Sequence, residues 1–269
     1  MCNNKAMPTK ENIEEIYKQY KGKIYRLALG LSGNDRDAED ITQNTIIKIM
    51  NNLDSFRQQS KLSTWIYKIA YNEALMLLRK RYSQFNIANS LRRSTKDRRV
   101  GLYVNWPERG DKHLLDEEFK ARLDDTISEM PIQYRMPLLL HFIEGMPLEE
   151  VAEILDLKLN SLKTRIHRSI LMIKSHIIDY YKDKEEKLHK PSNHCQELTG
   201  FVYDYARGHL DKEKADYFDS HIKDCPKCSA FLHTYDKAIE ITNALQCQDI
   251  PDDLHQKIDS LFFEFLRQK

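Results

Sequence analysis

The sequence predicts an all-α protein: two helical domains joined by a flexible linker, followed by a small metal-binding helical tail. Three observations carry this expectation. Only 8 of 269 residues are glycine, while Leu, Ile, Lys and Glu recur throughout, a composition that favours helix. Residues 11–83 and 113–180 read as consecutive helices with no alternating strand pattern. Near the C-terminus, HIKDCPKC (221–228) gathers a histidine and two of the five cysteines within one short stretch.

The chain separates into five parts, and its length suits about two full domains. Residues 1–83 form the first domain. Residues 84–112 lose periodicity, collect Asn, Ser and Arg, include Trp106-Pro107, and read as a linker. The second domain spans 113–180, a charged linker spans 181–193, and the tail spans 194–269. No stretch approaches the roughly 18 apolar residues of a membrane helix, and the first residues lack the apolar core of a signal peptide. A cytoplasmic protein without a membrane partner is expected, and there cysteines read as metal ligands or redox groups before disulfides.

The net charge of +1 conceals an asymmetry. From Cys195 onward there are 9 Lys and Arg against 14 Asp and Glu, a balance of −5. That leaves 33 of the 42 basic and 27 of the 41 acidic residues before it, a balance of +6. A basic body with an acidic tail suits a polyanion partner and a tail able to mimic it.

In the first domain, NDRDAEDITQNTIIKIMNNL (34–53) projects as an amphipathic helix. Ala38, Ile41, Thr45, Ile49 and Leu53 share a face suited to a core. Asp37, Asp40, Asn44 and Lys48 take the opposite face with Ile47 among them, a small surface of the kind that meets a partner. A lone exposed isoleucine is the alternative. The next segment, FRQQSKLSTWIYKIAYNEALMLLRKR (56–81), sets a polar loop before an aromatic helix bearing Lys68, Arg79, Lys80 and Arg81. Rings for stacking and cations for phosphates suit single-stranded nucleic acid, with Trp65 expected in the core.

The second domain contains MPLEEVAEILDLKLNSLKTRIHRSILMIKSHI (146–177), read as helix, turn, helix. Leu148, Val151, Ala152 and Leu155 face one way on the first helix. Leu162, Ile166, Ile170, Ile173 and Ile177 form a stripe on the second. That leaves Ser161, Thr164, Arg165 and Arg168 on another side, flanked by Lys163 and His167. A second helix presenting hydroxyls and arginines is the geometry that enters a major groove. Ser161 is expected to cap it.

In the tail, Asp211 is a good N-cap for a helix that runs to His221, placing His221 and Cys225 about one turn apart with Cys228 three further on. Adding Cys195 gives three sulfurs and one imidazole, a full tetrahedral set for a single Zn²⁺, structural or sensory. His194 is the alternative nitrogen ligand. With four positions filled, no site for a catalytic water remains, so no enzyme is expected.

Two ordered blocks carry a specific resemblance. DAEDITQNTIIKI followed by STWIYKIAYNEALMLLRKR resembles region two of bacterial RNA polymerase sigma factors of the extracytoplasmic-function type. It keeps Asp37, Ala38, Glu39, Asp40, Gln43, Thr45, Thr64, Trp65, Ile69, Ala70 and Asn72, and departs with Asn44 and Tyr71 where glutamate and arginine are usual. The resemblance implies that Asp37, Asp40, Gln43, Asn44 and Ile47 contact RNA polymerase core. It likewise implies that Ser60, Lys61, Leu62, Ser63 and Lys68 contact promoter DNA at the minus-ten element. The helix-turn-helix block resembles region four of the same family through Met130-Pro131, Arg135, Leu139, Glu144-Gly145, Val151-Ala152, Leu155, Lys163, Arg165, His167 and Arg168. That implies reading of the minus-thirty-five element.

The tail's Cys195, His221, Cys225 and Cys228 spacing, with YARGHL between, resembles the zinc-binding anti-sigma domain. The combined expectation is a sigma factor that directs promoter-specific initiation and is restrained by intramolecular contact with its own tail. A tail required for activity is the main competitor. The alternative of another class is a stand-alone metal- or redox-sensing helix-turn-helix regulator.

Overall fold

The computed structural model describes residues 10–53, 56, 60–88, 102–104, 117–181, 201–247 and 250–268. Helices dominate these residues, as expected, with two three-residue strands, β1 (Leu102–Val104) and β2 (Leu245–Cys247). The chain divides into two compact units. One comprises Met1–Tyr103, Glu149–Asp156 and Cys247–Lys269; the other comprises Val104–Leu148 and Leu157–Gln246.

The first unit is built on α1 (Lys10–Ser32), α2 (Asp35–Asn52) and α3 (Leu62–Ala88), which pack against one another. The predicted inner face of α2 is correct: Ala38, Ile41, Thr45, Ile49 and Leu53 are buried, joined by Thr42, Ile46 and Met50. Thr42 and Thr45 survive burial because each hydroxyl donates to the carbonyl one turn back, Ala38 and Ile41 respectively, at 2.6 Å. Gly33 turns the chain between α1 and α2 at φ 74°, a left-handed conformation that costs a side chain dearly. α3 continues five residues beyond the boundary expected at residue 83.

Asn34 caps α2, its side chain accepting from the Asp37 amide at 3.0 Å. Replacing Asn34 with Ala is expected to cost roughly 1 kcal/mol in denaturant unfolding, the usual loss of a cap. An unchanged midpoint would mean that the cap contributes nothing here.

The last helix, Asp252–Gln268, belongs to this unit. Leu254, Ile258 and Phe262 recur every four residues and are buried, and each such side chain contributes about 1.5–3 kcal/mol when fully removed from water. The last helix and the cysteine-bearing part of the tail fall in different compact units.

The second unit contains α4 (Glu117–Glu129), α5 (Ile132–Leu138), a π-helical turn (Leu139–Ile143) and α7 (Leu159–Tyr181). The stripe on α7 is as expected, with Leu162, Ile166, Ile170 and Ile173 fully buried; the side chain of Ile177 lies outside the described residues. Arg135 is buried and donates to the Ser128 carbonyl at 2.8 Å. Gly145 takes φ 66° after the π turn, a position that favours glycine. α6 (Leu148–Leu155) buries Leu148, Val151, Ala152 and Leu155, and all of it but Leu148 falls in the first unit.

The tail adds α8 (Val202–Ala206), α9 (Lys212–Asp224) and α10 (Pro226–Asn243) to the second unit. Asp211 caps α9 as expected, accepting from the Lys214 amide at 3.0 Å. α10 packs along α7 and buries Tyr235, Ala238, Ile239, Ile241 and Thr242. No helix among the described residues is long and apolar enough to cross a membrane.

Candidate functional site

On α2, Asp40 and Asn44 are exposed, Gln43 is half-buried, and Ile47 keeps 40% of its surface in water. This reproduces the predicted outer face with one correction. Asp37 is only 2% exposed, because its carboxylate accepts from the Asn34 amide group at 2.9 Å while its backbone N–H serves the cap. A helical projection cannot see this, since in the first turn the cap rather than the periodicity places the side chain. Lys48, expected on the same face, is exposed and pairs with Glu73, a buried carboxylate of α3.

The loop before α3 keeps Lys61 exposed, with Ser60, Leu62 and Ser63 half-buried; farther on, Lys68 and Arg79 are exposed. Trp65 is half-buried rather than in the core, its ring 5.2 Å from that of Phe56. Lys61 hydrogen-bonds Glu150 of α6, and this bond is the chief reason its ammonium pKa lies above the ordinary value. A cation so paired must leave its carboxylate before it can meet a phosphate.

α7 presents Ser161, Thr164 and Arg168 to solvent with Arg165 half-buried. It starts at Leu159, so Ser161 sits within the first turn and not at the expected cap position. Arg168 donates to the Tyr134 hydroxyl of α5 at 3.0 Å and lies over that ring, which aims the guanidinium along the helix surface. The other edge of this helix is covered. Lys163 pairs with Asp204 of α8 at 2.8 Å, and His167 Nδ1 lies 2.9 Å from the hydroxyl of the fully buried Tyr235 of α10.

Two further contacts fasten the tail to the same unit. His141 Nδ1 must donate to the Met146 carbonyl at 2.8 Å, which leaves its Nε2 to accept from the Tyr203 hydroxyl at 3.1 Å. Lys174 lies over the Phe231 ring at 4.2 Å, and burial lowers its pKa. Sequence inspection missed Tyr203, Asp204 and Tyr235. The one available signal was the opposite charge of body and tail, which names no residue.

His167 titrates below its ordinary 6.5, first because burial disfavours its charge and second because Arg168 is near. The unfolded chain therefore takes up a proton near pH 6.5 that the folded chain resists, so stability should fall as pH drops from about 6.5 through the lower folded value. We expect His167→Gln to flatten this part of a stability–pH curve. An unaltered curve would place the titration elsewhere.

In the tail, the ligand atoms of His221, Cys225 and Cys228 lie within 4.8 Å of one another, all half-buried. His221 Nε2 is 3.3 Å from Cys228 Sγ. α9 ends beside Cys225, and Cys225 also opens α10, whose first turn holds Cys228. Sγ and imidazole nitrogen at such separations suit tetrahedral zinc, with ligand bonds of about 2.0–2.3 Å. Cys195 and the alternative His194 lie outside the described residues.

Comparison with known proteins places this architecture. Residues 16–84 match the family model for sigma-70 region 2, and residues 120–173 match that for sigma-70 region 4. The ECF RNA polymerase sigma factor SigW of Bacillus subtilis is 31% identical over 154 residues, covering 57% of this chain and 82% of SigW. SigV of the same organism is 30% identical over 170 residues, 63% of this chain and 93% of SigV. SigE of Mycolicibacterium smegmatis is 27% identical over 172 residues, 64% of this chain and 63% of SigE. The chain belongs to the extracytoplasmic-function family of RNA polymerase sigma factors. It is accordingly an initiation factor and not an enzyme, with RNA polymerase core and promoter DNA as its partners.

Proposed function

We propose that this sigma factor acts in the cytoplasm and is held in check by its own tail, which binds one Zn²⁺ through His221, Cys225, Cys228 and a fourth ligand, Cys195 or His194. The observation that carries the restraint is the pairing of Lys163 with Asp204 and of His167 with Tyr235. Both α7 residues belong to the helix expected to read the minus-thirty-five element. An acid and a phenol from the tail occupy the positions where phosphate and base edges would sit.

The polymerase face follows as Asp40, Gln43, Asn44 and Ile47, with Asp37 retained for the cap. Promoter DNA is met by Ser60, Lys61, Leu62, Ser63, Lys68 and Arg79 in region two. In region four it is met by Ser161, Lys163, Thr164, Arg165, His167 and Arg168. The metal supplies cohesion to a segment with little core of its own, and with every coordination position filled it offers no catalytic site. Oxidation of the thiolates or a competing thiophilic metal would then release it.

Metal analysis and chelation of the full-length protein test this reading. One zinc per chain is expected, together with loss of amide protection in α9 on chelation and stronger promoter binding by the holoenzyme. Protein that holds no zinc and keeps α9 protected in chelator contradicts the metal. Weaker promoter binding after chelation contradicts the restraint.

A further inference from the structure

Side chains on α7 are held by partners of different origin. Lys163 pairs with Asp204 and His167 meets Tyr235, both from the tail. Arg168 is held instead by α5. Its Nη1 donates to the Tyr134 hydroxyl at 3.0 Å, and the centre of its guanidinium lies 5.9 Å from the centroid of that ring. Tyr134 is itself well fixed. It sits in the first turn of α5, where its amide donates to the Pro131 carbonyl at 2.9 Å. The next residue, Arg135, is buried and bound to the Ser128 carbonyl, and Met136 and Leu138 are fully buried where α5 packs on α7. The half-buried phenol is thus a fixed post beside a solvent-exposed arginine.

We propose that Tyr134 is a positioning residue for promoter readout: it holds Arg168 in the orientation from which the guanidinium reads a guanine in the minus-thirty-five element. The proposal rests on the reading of α7 as the helix that meets that element. A guanidinium carries five N–H groups in one plane, and a bidentate contact to guanine O6 and N7 uses a pair of them. The bond to Tyr134 takes one hydrogen of Nη1, which leaves the edge formed by Nε and Nη2 for the base. The ring supports the cation and the hydroxyl fixes its rotation. A loose arginine loses much rotamer freedom when it docks, whereas one already held loses less. Preference for the correct base pair therefore rises without any new contact to DNA.

Tyr134 belongs to α5 and not to the tail, so this positioning persists when Lys163 and His167 are released. Of these three side chains, two are covered by the tail and the third is set for its base beforehand.

The test uses holoenzyme assembled from core polymerase and the full-length chain, carrying Tyr134→Phe, Arg168→Ala or both. Binding to duplex promoter fragments with every base pair substituted in turn across the minus-thirty-five element is measured at several salt concentrations. Tyr134→Phe keeps the ring and removes the hydroxyl. It should weaken preference at one base pair by roughly three- to tenfold, the worth of one hydrogen bond. That base pair should be the one at which Arg168→Ala loses its preference, the salt slope should not change, and the double variant should lose no more than Arg168→Ala alone. A loss uniform across sequences with a shallower salt slope overturns the proposal, because Tyr134 would then meet phosphate itself. A further loss in the Arg168→Ala background overturns it as well, and so does an unchanged or sharper preference in Tyr134→Phe. Unchanged preferences in Arg168→Ala would instead defeat the reading of Arg168 as a base contact, and the proposal with it.

Discussion

Asp40→Lys combined with Ile47→Glu should abolish association with RNA polymerase core while leaving the helical content unchanged. Both side chains are exposed on α2, so neither substitution empties a core, and surface changes of this kind usually shift stability by about 0.5 kcal/mol or less. The effect on binding is of another order. An apolar centre ringed by polar groups is where interface energy concentrates, and each such residue is typically worth about 2 kcal/mol or more. Losing both, with the charge at residue 40 reversed, amounts to a fall on the order of a thousandfold or more. Unchanged capture of core polymerase by the folded double variant would remove α2 from the interface.

Cys225→Ser should lose the metal and melt one part of the tail while sparing another. Of the side chains on α9, Phe218 is the one that is buried, stacked 4.1 Å from the Tyr205 ring. A helix with so little core depends on its ligands for folding energy. The second half of α10 does not, because Tyr235, Ala238, Ile239 and Ile241 are buried. Hydrogen exchange should therefore show residues 212–228 open and 235–243 still protected. Full protection of 212–228 in a metal-free variant would mean that packing, and not zinc, orders this segment.

The way each part of the structure was legible differs with its physical cause. The inner face of α2 and the stripe of α7 followed from periodicity, because burial of one face is what those helices are selected to do. The cap at Asp211 was readable for the same local reason. Asp37 was misplaced because a capping hydrogen bond overrode the helical wheel. Trp65 came out half-buried since an aromatic at a domain surface satisfies either pattern. The partition of the tail had no local signature at all. Tyr235 and Phe262 are both apolar residues at helical spacing, and nothing in that spacing says that one covers α7 and the other α1. Such choices are settled by complementary pairs far apart in sequence, such as Lys163 with Asp204 and Lys21 with Asp259.

The central claim is that the tail restrains a competent sigma factor. Promoter-directed transcription by purified core polymerase, supplied with either the full-length chain or residues 1–190, tests it most directly. More transcript is expected with the shortened chain, which lacks the residues that hold Lys163 and His167 and those that sit beside Ile47. A shortened chain that is soluble, still binds core polymerase and yet gives no transcript would contradict it and make the tail a required part of the active factor.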